Sequence, residues 1–176
     1  MITEHPTAEP APAGERSIAD TLRAARDEYR AEIGAARGGA LAAEHYSARI
    51  DQLLTRIYTE ASAPNGMPVA LLAIGGYGRR HLCLHSDIDL LILFDGPITA
   101  PEERFVKALL HPLWDVGLDV GHQVRELSEL EQIETDNPEF LVAVSDSRCL
   151  TGEASVFERF DTLVHGPEPA WRQPTV

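Results

Sequence analysis

Positive charge is scarce in this chain of 176 residues. Fifteen Lys and Arg face twenty-eight Asp and Glu, and the net charge is −13. A broad electrostatic grip on nucleic acid needs clustered cations, so the charge argues against that class of function. A single nucleotide bound through a metal ion is not, because a local site can oppose the global charge. Cysteine is nearly absent. Cys83 and Cys149 lie far apart and form no C-x-x-C or His/Cys cluster, which argues against zinc. Both are expected to be small buried hydrophobes in a reducing compartment. No apolar run approaches the roughly 20 residues that span a bilayer. The N-terminus "MITEHPTAEPAPAGERS" has no apolar stretch of the secretory kind. These absences lead to the expectation of a cytoplasmic protein with neither a membrane nor a nucleic-acid partner.

Periodicity organises the rest. Residues 1–16 are Pro/Ala-rich without period and are expected to be disordered. Helices are predicted from Ser17 or Asp20 to about Ile33, and over about 40–62, with Gly38-Gly39 as the break between them. "VALLAI" (69–74) reads as a buried strand, "DIDLLILF" (87–94) as a second and "LDVGHQVR" (118–125) as a third. Pro101 with Glu102-Glu103 starts a helix over about 101–116. Two helical segments are expected in 128–153, with Gly152 as the stop, then a short helix in "ASVFERFDTLV". Residues 166–176 read as a loose tail. The predicted fold is α/β or α+β, a small mixed sheet with helices mainly on one face and a cleft on the other. One domain spans 17–165, with helices at its N-terminal end.

One stretch carries chemistry: "IGGYGRRHLCLHSDIDLLILF", Ile74 to Phe94. A dinucleotide loop would need G-x-G-x-x-G opening a helix, and the third glycine is missing. A phosphate loop would need G-K-[ST], also missing. What remains is a strand, a glycine turn with a short helical piece, and a strand bearing two carboxylates. Residues i and i+2 of a strand share a face, so Asp87 and Asp89 project together while Ile88 and Leu90 face the core. Two carboxylates side by side repel. A divalent cation removes that cost, and Mg²⁺ prefers carboxylates together with phosphate oxygens. Gly75 and Gly76 let backbone approach a triphosphate without a Cβ in the way. Arg79 can meet a phosphate or be a solvated turn residue. His81 and His85 are expected at the surface, and His122 and Trp114 in the core. Asp146 and Arg148 are expected to form a structural ion pair.

The pattern G-G-[YF]-G-R-x6-S-D-I-D-L-L resembles the signature of the polymerase-beta-like nucleotidyltransferase superfamily. With "HPLWDVGLDVGHQVREL" it is similar, over roughly residues 40–165, to the N-terminal nucleotidyltransferase domain of bifunctional PII uridylyltransferase/uridylyl-removing enzymes. The resemblance implies transfer of UMP from UTP to a tyrosine of the PII signal protein. It places Gly75, Gly76 and Ser86 with the nucleotide and Asp87 and Asp89 with the metal. The superfamily usually supplies a third carboxylate from a neighbouring strand. Asp119 is the candidate, unless Gly121 holds that position and only two ligands exist. No histidine here is followed by Asp, so the metal signature of the removing domain is missing and transfer alone is expected. Two alternatives stay open: a superfamily transferase with another nucleotide or acceptor, and a degenerate domain that binds nucleotide or a partner.

Overall fold

A computed structural model describes residues 16–35, 39–63, 66–130 and 138–167. The expected tails, 1–16 and 166–176, and Gly38 fall outside these residues, apart from Arg16, Gly166 and Pro167. Seven helices and four strands follow in the order α1 (Ile18–Gly34), α2 (Gly39–Ala61), β1 (Val69–Ala73), α3 (Gly75–Gly78), β2 (Ile88–Phe94), α4 (Ala100–Asp115), β3 (Val120–Glu126), α5 (Leu127–Leu130), α6 (Pro138–Ser145), β4 (Arg148–Gly152) and α7 (Ala154–His165).

The sheet order is β3-β2-β1-β4. β1 runs antiparallel to β2 and β4, and β2 parallel to β3. The two central strands are apolar on both sides, as strands covered on both faces must be. Leu71, Ala73, Ile88, Leu90 and Ile92 pack with α1, α2 and α4. Ala70, Leu72, Leu91 and Leu93 pack with α5, α6 and α7. The three long helices thus lie on one face, and three shorter ones cover the other, where a cleft was expected, because the central strands are apolar on both sides. Among the described residues no helix is long and apolar enough to cross a membrane.

Local chemistry sets the element ends. The Ser17 hydroxyl accepts from the Asp20 N–H at 3.1 Å and caps α1. Thr99 and Glu102 form a reciprocal capping box at α4. That box and its hydrogen bond from Thr99 hold the Glu102 carboxyl below its ordinary range.

One element departs from the sequence expectation. Residues 148–152 are the edge strand β4, not the end of a helix. The apolar run of α6 suggested helix, but Gly152 has φ +113, which continues no helix. A Cβ on Gly152 would lie 2.3 Å from the Val69 carbonyl oxygen and 2.8 Å from the Ala70 Cα. Glycine is what lets β4 approach β1. Gly152→Ala is therefore expected to lower stability by about 2 kcal/mol or more. Urea unfolding checks this, and an unchanged midpoint would contradict it.

Candidate functional site

The site lies where the sheet opens beyond the start of β2. Ala73 pairs with Leu90, and the Ile74 N–H donates to the Asp89 carbonyl at 3.1 Å. The chain then turns away at Gly75, with φ +57, as α3 begins. On the other side of β2, Asp89 pairs in register with Gly121. A Cβ on Gly75 would lie 3.4 Å from Asp89 Oδ2, and one on Gly121 only 2.6 Å from Oδ1. The Asp89 carboxylate thus stands between two glycines contributed by two different neighbours.

Asp87 immediately precedes β2 and is exposed, while Asp89 is half-buried. Burial, and then the neighbouring Asp87 charge, pushes the Asp89 carboxyl above its ordinary range. The two carboxylates share the face opposite Ile88 and Leu90, which pack with α1, α2 and α4. Asp119 immediately precedes β3, and its carbonyl accepts from the Ile88 N–H at 2.9 Å. Among the described residues no set of three or more His, Cys, Asp or Glu side chains is arranged to hold a metal ion. The structure brings Asp87 and Asp89 together and does not gather Asp119 into a triad with them.

Ser86 closes the turn before the pair. Its hydroxyl accepts from the Cys83 N–H at 3.1 Å, and its own N–H donates to the Cys83 carbonyl at 3.1 Å. The first N–H groups of α3 have no intrahelical partner and are available to an anion. Arg79 pairs with Asp146, and its guanidinium lies 3.9 Å from where a Cβ of Gly76 would be.

A clamp not anticipated from the sequence holds this turn. The Tyr77 hydroxyl donates to Asp51 Oδ1 at 2.5 Å. Arg148 donates to both Asp51 oxygens, at 2.8 and 2.7 Å, and lies over the Tyr77 ring at 5.0 Å. Burial, and then the Asp51 charge, pushes the Tyr77 hydroxyl well above its ordinary range. Asp146 and Arg148 are each in an ion pair, as expected, but not with one another. Gly78 completes the packing, since a Cβ there would fall 1.6 Å from the Asp146 carbonyl oxygen.

Four further placements differ from expectation. Trp114 and His122 are exposed, with rings 5.8 Å apart, instead of sitting in the core. Cys83 is exposed and Cys149 half-buried, where both were expected inside. Burial raises the Cys149 thiol above its ordinary range.

The raised Asp89 carboxyl fixes a direction for stability. A carboxyl raised by folding contributes stability below its unfolded range, and that contribution is lost as pH rises through the folded value. In metal-free protein, Asp89→Asn should therefore raise Tm at pH 7. The gain should be small, under about 1 kcal/mol, because the site is open to water. It should vanish below about pH 4, where the unfolded carboxyl protonates. Thermal melts of both proteins across pH check this, and a destabilised mutant at pH 7 would contradict it.

No model of a known protein family matches the chain. It is 39% identical over 115 residues to the bifunctional uridylyltransferase/uridylyl-removing enzyme of Bordetella parapertussis, covering 65% of this chain and 13% of that protein. It is 36% identical over 127 residues to the enzyme of the same name from Methylococcus capsulatus, covering 71% of this chain and 14% of that protein. The chain thus spans about one seventh of the length of these curated relatives. A continuous match of 115 residues in a chain of 176 must include residues 62–115, wherever it begins. It therefore contains the glycine turn and the aspartate pair. Over about two thirds of its length, then, the chain is a homologue of the bifunctional uridylyltransferase/uridylyl-removing enzymes, the proteins to which its glycine and aspartate motif pointed.

Proposed function

We propose that this chain is a Mg²⁺-dependent nucleotidyltransferase that moves UMP from UTP to a tyrosine of the PII signal protein and releases pyrophosphate. The observation that carries the reading is the Asp89 carboxylate, held between Gly75 and Gly121 beside Asp87 at an open strand end. What supports Mg²⁺ is the donor set. Two like charges side by side, with no third ligand arranged among the described residues, suit an ion that completes its shell with phosphate oxygens and water. Asp87 and Asp89 would hold Mg²⁺, which when bound would neutralise charge and polarise the phosphorus being attacked.

The chain's own residues then have definite tasks. Asp87 and Asp89 fix the ion. Gly75 and Gly76 present backbone N–H groups to phosphate oxygens. Ser86 holds the turn that delivers Asp87, and its hydroxyl proton is free to donate. Arg79, tethered by Asp146, lies beside Gly76 and adds a cation. The acceptor hydroxyl oxygen bonds to the α-phosphorus, the bond to the bridging oxygen breaks, and pyrophosphate leaves. Asp119, at the head of β3, is the carboxylate we assign to draw off the hydroxyl proton.

A second reading rests on the same donor set. With two carboxylates instead of three, the domain would bind nucleotide as a signal and transfer nothing. Labelled UTP, PII protein and Mg²⁺ separate the two. Transfer by the wild type is expected, with a loss of at least about a hundredfold in Asp87→Asn and Asp89→Asn. The stabilisation that Mg²⁺ with UTP gives the wild type in thermal melts should disappear in both mutants. Wild-type turnover in either mutant would remove the metal site. UTP binding without any transfer would favour the second reading.

A further inference from the structure

The two edges of the sheet are built differently. β4 is five residues long, and its register against β1 shifts between Leu71 and Leu72. Short length and irregular pairing are common ways to keep an edge from recruiting another strand. β3 has neither. Its seven residues pair with β2 in unbroken register, and among the described residues no strand lies on its other side. The Ile88 N–H donates to the Asp119 carbonyl, so Asp119, Gly121 and Gln123 turn their backbone groups toward β2. Val120, His122 and Val124 alternate with them and turn theirs outward. No Lys or Pro of β3 guards that edge.

This open edge joins two features on opposite faces of the sheet. On one face, a groove of about 390 Å³ lies between α4 and β3, with walls from Ile98, Val106, Leu110, Trp114, His122 and Val124. Trp114 is 44% exposed at its mouth. On the other face stands the Asp89 carboxylate. A Cβ on Gly121 would fall 2.6 Å from Asp89 Oδ1, so that oxygen takes the space a side chain would fill. No side chain of Gly121 screens the oxygen from the open edge. A strand laid along β3 would run about 4.8 Å from it, its side chains alternating between the two faces. A residue opposite Gly121 on the site face would lie about 5 Å from the place taken by Asp89 Oδ1, within reach of an aromatic side chain. The next residue of that strand would point into the groove beside Trp114.

We propose that the outer edge of β3 receives the acceptor protein as an added β-strand. Its tyrosine faces Gly121 and Asp89, and the adjacent residue, an apolar one, fills the groove beside Trp114. The inference rests on the transferase reading above and assigns how its acceptor is held. Main-chain hydrogen bonds to Val120, His122 and Val124 supply the grip, and the groove selects the residue next to the tyrosine. The net charge of −13, with Asp87, Asp89 and Asp119 at this end of the strands, favours a segment that is neutral or basic. A second copy of the chain suits the edge less well. Its β3, VGHQVRE, offers no hydroxyl to the site, and two chains of −13 repel.

Two variants outside the metal site test this. Trp114→Ala removes a wall of the groove. His122→Pro deletes an outward N–H and leaves the ladder to β2 intact, as an edge strand tolerates. Both should melt near the wild-type temperature. KM for PII protein should rise about tenfold in each, as when one anchor of an interface is truncated. The kcat and the calorimetric affinity for Mg²⁺-UTP should stay within about twofold of wild type, the pattern of a lost docking contact. Amide exchange at Val120, His122 and Val124 gives a readout that a packing defect would not move. In the wild type these amides should slow when PII protein is added, and not with Mg²⁺-UTP alone. Where His122→Pro does not fold, Trp114→Ala and the exchange decide. An unchanged KM overturns the inference, and so does acceptor turnover without slowed exchange along β3. A wild type already dimeric, with these amides protected, gives the edge to a second copy and overturns it too. A wild type that binds Mg²⁺-UTP yet transfers to no acceptor removes the transferase reading, and this inference with it.

Discussion

The Asp51 carboxylate is the tie on which the rest of the site depends. It receives the Tyr77 hydroxyl and both terminal guanidinium nitrogens of Arg148, and so joins α2, the glycine turn and β4. A turn of sequence Gly-Gly-Tyr-Gly has little to hold it by itself, since glycine loses the most conformational freedom on ordering. Tyr77, buried to 1% exposure, is the one side chain within these four residues and anchors them in the core. The pair of charges is mostly out of water, with Asp51 20% and Arg148 17% exposed. Removing one partner would leave the other buried and unmatched, which is costly. The clamp therefore offsets the entropy of the glycines and fixes where Gly75 meets Asp89.

The site itself is built on conflict. Two carboxylates of an acidic chain point the same way, and one is pushed toward its neutral form. No lysine or arginine contacts either one as an ion pair among the described residues. Elsewhere the chain settles its charges locally, as in Arg79 with Asp146 and Arg159 with Asp95. A local unresolved repulsion in an otherwise consistent fold marks a place where structure yields to function.

Much of this was legible in the sequence, for a stated reason. The apolar alternation after Asp87 assigned Asp87 and Asp89 to one face, because strand period is a local property. The helices α1, α2 and α4 followed from local period and caps. What was not legible is long-range. Asp51 sits on a helix whose charged residues all read alike, and Arg148 lies 97 residues away from it. Asp146 was expected as the partner of Arg148, and the fold gives it Asp51 instead. β4 was missed because five residues, "RCLTG", are too few to show a period. Its identity comes from pairing with β1, not from its own composition. Trp114 and His122 illustrate the same limit: both have the residue type or spacing of core positions, yet β3 is an edge strand and leaves them open.

The parallel step from β2 to β3 is what completes the site. β2 carries the chain away from Asp89 over seven residues, about 23 Å at strand rise. α4, with 16 residues, returns it by about 24 Å at helical rise. The near match brings the chain back to the end it left, so that β3 starts beside Asp87. The return is pinned at its far end as well, where the Ile98 N–H donates to Glu126 Oε1 at 3.0 Å and Thr99 caps α4. In that register Gly121 falls opposite Asp89. A shift of one residue would bring Val120 or His122 beside it, with a side chain where the carboxylate now stands. The length of a crossover helix, far from any reacting atom, thus decides whether Asp89 has room for its carboxylate. A turn added to or removed from α4 would displace the start of β3 by about 5.4 Å and leave Asp89 without its glycine neighbour.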